Sequence, residues 1–466
     1  MTNQKERIVP ETGQPRLSLM NKAGYGLGDM GFLLVWHGSA LFLLFFYTDI
    51  LGLSPGMAGA IYLIAMIWDA VSDPLVAAWA ENRAARTGRY TPIIAWAALP
   101  VGLTYACMFF VPVSEGWMLA GWALLTHLSF RTAYTIASMP YNTLPVRLTT
   151  DGHERSTLSG FRVAGAATGA VITAILTPLV VQASQATDPT METGYQLAAV
   201  IVGLLAVVLL FGCSKIVREP AASTFNPGRT QYLTALKNLF HAATGNPPLL
   251  RLLALIILGT IGHGFFTHTI LYFLNHVLIR PDAITPVLAM SAFATILAAP
   301  IWVILAGRTS KKTSLIIGLI TAGVGYLMMG FAPANGLVWP LVAVSIAGSG
   351  GAAIPVMLWS MVPDSIEYGE LKTGKRVEAR TFGLMTFAQK TSVGLTALFV
   401  GGLLALVGYS GDITPTQAAS AMMRLMVSAL PAAIMIGAAL LIRGYPIDKR
   451  LHVEILARLK TGHSTD

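Results

Sequence analysis

Long apolar runs recur along the chain from about Met20 to about Arg443, and shorter polar segments separate them. A helix needs about 20 mostly apolar residues to cross a bilayer. Twelve runs reach that length, at about 24–48, 56–80, 92–112, 117–147, 158–182, 195–213, 247–277, 284–306, 314–332, 338–366, 381–408 and 418–442. They are continuous and rich in Leu, Ala and Gly, whereas strands of a membrane barrel would alternate. The pattern predicts an all-α integral membrane protein with twelve transmembrane helices.

The composition changes what such a protein can be. Only 11% of the residues are charged, against roughly 25% in soluble proteins. The two cysteines, Cys107 and Cys213, lie inside apolar runs and cannot build a disulfide framework or a zinc site. No phosphate-binding Walker loop is present, so ATP-driven transport is not indicated. We therefore expect a membrane protein that is not an enzyme and has no cofactor.

The basic residues predict the orientation. An even number of spans puts both termini on one side, and most of the 31 Lys and Arg residues lie in loops of that side, while the opposite face keeps only Arg280. Cytoplasmic loops carry this excess. We expect a multi-pass protein of a bacterial inner membrane with both termini cytoplasmic. The formal charge of +9 then indicates contact with anionic lipids and not with nucleic acid.

The chain divides into two halves. Its longest clearly polar connection, 214–246, joins the sixth span to the seventh. Each half has a basic loop after its second span, ENRAARTGRYTP (81–92) and AGRTSKKTS (306–314). We predict a six-helix bundle over 1–213, a cytoplasmic loop over 214–246, a second bundle over 247–443 and a cytoplasmic tail over 444–466. Two such bundles around a central cavity are similar to the major facilitator fold.

Two carboxylates on the second span are the first candidate site. Asp69 and Asp73 are four residues apart, which places them on one face of a helix. Like charges this close must share a proton or bind a cation. Oxygen ligands suit a hard cation, and Ser72 and Thr135 offer further oxygens. Coupling to Na⁺, Li⁺ or H⁺ is the favoured interpretation. The alternative is a structural pair neutralised by arginines at the cytoplasmic rim.

The fourth span carries a polar stripe. Its members, spaced by 4, 4, 3 and 4 residues, are His127, Arg131, Thr135, Ser138 and Asn142. At 100° per residue they lie within about 80° of each other. Such a stripe lines a water-filled cavity or forms a hydrogen-bonded seam between helices. The full positive charge of Arg131 favours the cavity.

Other polar and aromatic residues inside spans are candidate substrate contacts, because a charge at mid-membrane costs at least about 2.5–3.5 kcal/mol. They are Asp29, Trp36, Arg131, Ser138, Asn142, Arg162, Trp359, Thr386 and Lys390. Lys390 could instead be paired structurally with an acid of another span. Trp36 and Trp359 could stack on a sugar ring, although membrane tryptophans are more often packing or interface residues.

The basic loop after the second span suggests a gate on the cytoplasmic side. Its arginines are Arg83, Arg86 and Arg89, and acids that could pair with them are Asp364, Glu367 and Glu370. Exposed pairs contribute only ~0–1 kcal/mol each. A network of them can still bias an equilibrium between two states of a transporter.

Several motifs together resemble one family. They are YGLGDMG (25–31), FFYTDILGLS (45–54), IWDAVSDP (67–74), RTGRYTP (86–92), YTIASMPYNTL (134–144), DGHERSTLSGFR (151–162) and DSIEYGELKTGKRVEARTFG (364–383). They are similar to motifs of the glycoside–pentoside–hexuronide:cation symporters, in the same order and across both halves. The resemblance implies import of a sugar or glycoside driven by Na⁺, Li⁺ or H⁺.

The resemblance also implies roles for single residues. Asp69 and Asp73 match the family's cation-site carboxylates, with Ser72 and Thr135 at helping positions. Asp29, Arg162 and Thr386 match positions linked to sugar binding, and Lys390 matches the charged residue on the eleventh span. Ser138, Met66 and Asn142 depart from the pattern, which has an aspartate, an arginine and a tryptophan there, and Arg131 has no counterpart.

The departures bear on the substrate. Without the acid at Ser138 and with Arg131 added, the cavity is more positive than the family pattern. We therefore expect an anionic glycoside such as a hexuronide, although Arg131 could instead neutralise Asp69 or Asp73. The alternatives to a symporter are a carrier of a lipid or other amphiphile, or a transporter-like sensor, on the same fold. We expect the chain to function as a monomer.

Overall fold

The computed structural model describes residues 17–112, 116–149, 151–185, 191–220, 245–334, 336–374, 377–411 and 414–462. The first half contains α1 (Leu19–Phe45), α2 (Pro55–Thr87), α3 (Thr91–Met108), α4 (Gly116–Leu148), α5 (Gly152–Ser184) and α6 (Met191–Ile216). The second half contains α7 (Pro247–Tyr272), α8 (Ile284–Arg308), α9 (Lys311–Gly330), α10 (Val338–Thr373), α11 (Glu378–Leu406) and α12 (Gln417–Arg443). A further helix, α13 (Lys449–Gly462), lies in the tail. The predicted all-α fold with twelve long helices is confirmed.

The polarity of α4 distinguishes it from the other long helices. Eleven helices among the described residues are long and apolar enough to cross a membrane, and α4 is not one of them. It has 33 residues and is long enough, but its polar stripe lowers its hydropathy. Such a helix is compatible with a membrane when its polar face is covered by neighbouring helices, and most of the stripe is buried.

The two halves repeat one packing pattern. In the first half α1 packs against α5 and α6, α3 packs against α4 and α6, and α2 packs against α4. The same contacts recur six helices later, between α7 and both α11 and α12, α9 and both α10 and α12, and α8 and α10. The predicted pair of six-helix bundles is therefore present. Residues 221–244 of the predicted central loop lie outside the described part of the chain, so its limits stay a prediction.

Glycines allow the halves to approach closely where α2 meets α11. A Cβ atom on Gly401 would lie 2.1 Å from the carbonyl oxygen of Pro55, and one on Gly59 would lie 2.7 Å from that of Ala397. Real side chains never come so near. The helices α5 and α8, and α1 and α7, also meet across the halves.

A polar cluster joins the halves at the helix ends opposite the chain termini, here termed the far side. Asp49 lies in a π-helical turn (Phe46–Ile50) after α1, and His276 lies in the equivalent turn (Phe273–Val277) after α7. One carboxylate oxygen of Asp49 lies 2.6 Å from His276 Nε2 and accepts a hydrogen bond of 2.6 Å from Tyr409. Thr48 and Tyr272 share a hydrogen bond of 2.8 Å beside them. We refer to these five residues as the far-side cluster.

On the termini side the described ion pairs each stay within one half. They are Lys22–Glu154, Arg147–Glu219 and Arg162–Asp29 in the first half, and Lys311–Asp364, His452–Asp364, His452–Glu367 and Arg458–Glu454 in the second. The halves are therefore joined at mid-membrane and on the far side but not by these charges at the termini side. The two halves are therefore closed against each other on the far side.

Candidate functional site

Four side chains form a cradle of charges at mid-membrane. The Lys390 ammonium lies 2.9 Å from Oδ2 of Asp69 and 2.5 Å from Oδ2 of Asp73. The Thr135 hydroxyl lies 2.9 and 3.2 Å from their Oδ1 atoms. Asp69 is fully buried, and the Asp73 side chain is 15% exposed. Lys390 reaches α2 because Gly394, one turn later on α11, lets the two helices come close.

The cradle carries an unbalanced charge. With both acids ionised, two carboxylates face one ammonium, so one negative charge remains. Thr135 has one proton and can satisfy only one of the two oxygens that it contacts. The Ser72 hydroxyl instead donates to the backbone carbonyl of Asp69, at 3.2 Å. The arrangement can therefore accept one further monovalent cation or one proton.

Arg131 is the most deeply buried cation near the cradle, with 1% of its surface exposed. Its Nε donates to His127 Nε2 at 3.2 Å, and Nη2 reaches the Ser39 hydroxyl at 3.5 Å. Its guanidinium carbon lies 4.6 Å from the ring centroid of Trp36. Among the described residues Nη1 has no hydrogen-bond partner and no carboxylate forms an ion pair with this arginine.

Two expectations for the α4 stripe need correction. The stripe does not line an open cavity here, because His127, Arg131, Thr135 and Ser138 are all buried, and only Asn142 is exposed. The stripe packs against α2, and Ser39 of α1 lies 3.5 Å from Nη2 of Arg131. Nor does Arg131 form an ion pair with the carboxylates of the cradle among the described residues, because Lys390 contacts both of them.

Asp29 and Arg162 form a second charged pair, nearer the termini side. Arg162 Nε lies 3.2 Å from Oδ1 of Asp29. The carboxylate is almost buried, whereas 41% of the Arg162 side chain is exposed. The guanidinium therefore has free surface toward solvent while its charge is balanced. Asp29 and Arg162 therefore remain predicted substrate contacts.

The remaining predicted substrate contacts are spread over four helices. Trp36 on α1 is half-buried and lies 5.4 Å from the ring of Tyr134. Trp359 on α10 stacks on Phe382 of α11, with centroids 6.1 Å apart. Thr386 is half-buried. The structure brings Trp36 to Arg131 and Lys390 to the carboxylates, so Lys390 is not a free cation for a substrate in this conformation.

The predicted gate is not assembled in this conformation. Arg83, Arg86 and Arg89 are exposed. Asp364 binds Lys311 at 2.7 Å, and Glu367 lies 2.7 Å from His452 of α13. Among the described ion pairs these acids thus have partners from their own half, and Glu370 also has a partner. The gating role of these six residues stays a prediction.

Sequence reasoning missed the polar residues that lie between the cradle and the far side. Tyr62 on α2 and His268 on α7 are buried next to His127, and Ser39 contacts Arg131. Tyr62 lies two turns before Asp69 on the same face of α2, so its spacing could have indicated it. Ser39 and His268 come from other helices, and only the pairing of helices brings them to this place.

Comparisons with known proteins agree with this architecture. The family model described as "MFS/sugar transport protein" matches residues 24–449. The "Putative glycoside/cation symporter YagG" of Escherichia coli K12 is 28% identical over 85% of each chain. The "Glucuronide carrier protein homolog" of Escherichia coli K12 is 25% identical over 95% of this chain and 96% of its own.

A solved structure supports the fold alone. A bacterial homologue of the human lysosomal transporter Spinster, crystallised inward-facing and unoccupied, aligns with a TM-score of 0.64. The alignment covers 95% of this chain and 97% of that one, at 15% identity. The two chains therefore share a fold.

Proposed function

We propose, on the premise that the chain belongs to the MFS/sugar transport protein family, that it is a cation-coupled symporter that imports an anionic sugar or glycoside. The match over residues 24–449 and the relatives named as a glycoside/cation symporter and a glucuronide carrier homologue support sugar symport. The multi-pass helical architecture supports a membrane protein. A lipid carrier or a sensor on the same fold is not favoured.

The observation that carries the anionic substrate is the unpaired charge of Arg131. A buried cation without a partner is strongly unfavourable, because removal from water costs several kcal/mol per ion. No carboxylate among the described residues forms an ion pair with Arg131, and Nη1 has no acceptor there. A guanidinium presents a planar fork that binds a carboxylate or sulfonate at two points. An acid group of the substrate would supply the missing charge.

The observation that supports cation coupling is the residual negative charge of the cradle. Asp69 and Asp73 outnumber Lys390 by one charge. Carboxylate and hydroxyl oxygens suit Na⁺ or Li⁺, and a proton would balance the charge equally well. We infer one coupling cation per cycle, with no other cofactor.

The basic loops support a cytoplasmic termini side, in a bacterial inner membrane. The far side would then be periplasmic, and the conformation closed by the far-side cluster would be inward-facing. Alternating access would exchange this closure for one on the termini side. A monomer contains both bundles and all the residues named, so we propose a monomeric transporter.

The experiment is uptake into proteoliposomes of two probes that differ at one position, 4-nitrophenyl β-D-glucuronide and 4-nitrophenyl β-D-glucoside. We expect concentrative uptake of the glucuronide under a Na⁺, Li⁺ or pH gradient. Arg131→Gln should lower kcat/KM for the glucuronide at least ~30-fold, since loss of one partner of a buried charge pair costs at least about 2 kcal/mol. The effect on the glucoside should be small.

Arg424→Gln is the matched control. Arg424 is also an arginine within a span, but its guanidinium donates to the backbone carbonyl of Gly330 on α9. It should leave the ratio between the two probes unchanged. A wild type that prefers the glucoside, or equal losses for both probes in Arg131→Gln, would contradict an anion site.

A further inference from the structure

Three aromatic side chains with polar atoms, Tyr62, His127 and His268, pack edge to face beyond Arg131 and are termed the stack here. The ring of Tyr62 lies 5.0 Å from that of His127 and 5.2 Å from that of His268, edge to face in both cases. All three are at most 3% exposed. Tyr62 and His127 belong to the first half, and His268 belongs to the second. The stack therefore crosses the interface that must open and close during transport.

Each member of this stack has a polar atom whose hydrogen bonding is incomplete. Among the described residues the Tyr62 hydroxyl lies beside Arg131 and Ser39 but makes no hydrogen bond of good geometry, and Nδ1 of His127 and Nδ1 of His268 have no hydrogen-bond partner. Nη1 of Arg131, next to His127, is in the same condition. Buried polar groups are nearly always hydrogen-bonded. Four neighbouring exceptions indicate a place where a polar ligand completes the bonding.

Tyr47 is a second buried tyrosine beside His127, and it differs from Tyr62 in the hydrogen bonding of its hydroxyl. Its ring is also edge to face with His127, at 6.3 Å, and it is fully buried. Its hydroxyl donates to the backbone carbonyl of Ala123 at 3.2 Å. The two tyrosines flank the same histidine, but only the Tyr62 hydroxyl lacks a well-formed hydrogen bond. Packing of aromatic rings alone does not explain this difference.

The chemistry of the free atoms suits sugar hydroxyls. Arginine can only donate, so Nε2 of His127 is the acceptor in its 3.2 Å bond with Arg131. The neutral ring then has its proton on Nδ1, which becomes a donor. The Tyr62 hydroxyl can donate and accept. Together they match hydroxyl and ring oxygens better than a second charged group.

The position relative to Arg131 also fits a sugar. His127 precedes Arg131 by four residues on α4, which is about 6 Å along the helix axis. Tyr62 precedes Asp69 by seven residues on α2, about 10 Å toward the far side. The stack thus begins about one turn beyond the guanidinium, a distance comparable to the width of a sugar ring.

We propose that Tyr62, His127 and His268 form a hydroxyl-binding subsite that holds the neutral ring of the glycoside and determines which sugar is accepted. The proposal rests on the proposed function for the anionic end of the ligand at Arg131. Because His268 comes from the other half, the subsite is split when the far side opens. It is complete only when the halves close around the substrate.

Tyr62→Phe tests this assignment with the smallest possible change, and Tyr47→Phe is its control. KM and kcat are measured in proteoliposomes with whichever of 4-nitrophenyl β-D-glucuronide and the glucoside the wild type transports. Tyr62→Phe should raise KM about tenfold or more without lowering the melting temperature. Tyr47→Phe should lower the melting temperature and leave KM unchanged. A purely structural tyrosine would show the opposite pattern.

Deoxy analogues of the same probe locate the contact. Removing the hydroxyl that Tyr62 binds should raise the wild-type KM about tenfold and should have little further effect in Tyr62→Phe. If Tyr62→Phe and His268→Asn both keep the wild-type KM for every analogue, the subsite is refuted while anionic transport stands. If the wild type transports the glucoside only, the anion site fails and the Tyr62 comparison is still decisive. Transport of neither probe refutes both proposals.

Discussion

The net charge of the mid-membrane cradle, and not only the position of its residues, should determine ion coupling. The wild-type set of Asp69, Asp73 and Lys390 carries one residual negative charge. Asp73→Asn brings the set to zero, and Lys390→Met brings it to minus two. The double variant Asp73→Asn/Lys390→Met returns it to minus one. We expect ion coupling in each variant to depend on this net charge.

The structure sets the size of the effect. Lys390 Nζ contacts both Oδ2 atoms, so a cation held by one carboxylate lies about 5 Å from the other. At an effective dielectric constant of 20 this amounts to roughly 3 kcal/mol per charge, or roughly 200-fold in affinity. Asp73→Asn should therefore raise the half-activating concentration of the coupling cation about 200-fold and abolish ion-driven accumulation, and so should Asp69→Asn.

The assay is the dependence of glucuronide uptake on Na⁺, Li⁺ and pH in proteoliposomes, with exchange uptake as a measure of folded protein. The double variant should return to within about tenfold of the wild-type half-activating concentration. Thr135→Val is the control without a change of charge. We expect it to weaken cation binding by only about 1 kcal/mol, as for the loss of a neutral hydrogen bond.

One result would refute this reasoning. The double variant should not lose coupling as completely as Asp73→Asn if this reasoning holds. If it does so while both variants still exchange substrate, the net charge of the cradle does not determine cation binding. A specific ligand geometry at Asp73 would then be required.

Three further changes should move the equilibrium between conformations, measured by labelling of single cysteines placed on either side. Asp49→Asn removes the carboxylate that contacts His276 and Tyr409, so labelling on the far side should rise severalfold. Labelling equal to that of the wild type would contradict a closing role of Asp49. Gly401→Val introduces a Cβ where only 2.1 Å is available and should act in the same direction, whereas Gly402→Val has open space and is its control. Neutralising the arginines at 83, 86 and 89 should increase labelling on the termini side, and no change there would remove the predicted gate.

The helices were predictable because one property decides them. A run of about 20 apolar residues has no stable alternative to a helix within a bilayer, so all twelve runs appear close to their predicted limits. The second and tenth extend furthest past their predicted ends: the run predicted over 56–80 continues as helix to Thr87, and the one over 338–366 continues to Thr373. Their last turns are polar and extend past the apolar segment, where hydropathy no longer indicates the end of a helix.

The candidate site was predictable only where its members share a helix. Asp69 and Asp73 are related by one turn, and the stripe of α4 has the same periodicity. The contact of Lys390 with Asp73 joins residues 317 positions apart. It depends on the rotation of α11 against α2, which the glycines of that interface set. For the same reason His268 and His276 remained unassigned.

The two charge systems at mid-membrane offer a physical basis for coupling. Arg131 lies one turn from Thr135 of the cradle, so a positive charge without an ion pair and a residual negative charge lie near each other. A bound cation alone removes the negative charge and leaves Arg131 unbalanced; a bound anion alone does the reverse. Only the two together neutralise both sites. At roughly 8 Å and an effective dielectric constant of 20, each mismatch amounts to about 2 kcal/mol, within the usual range for coupling between sites. An anionic glycoside should therefore raise cation affinity about 30-fold, and its neutral analogue should not.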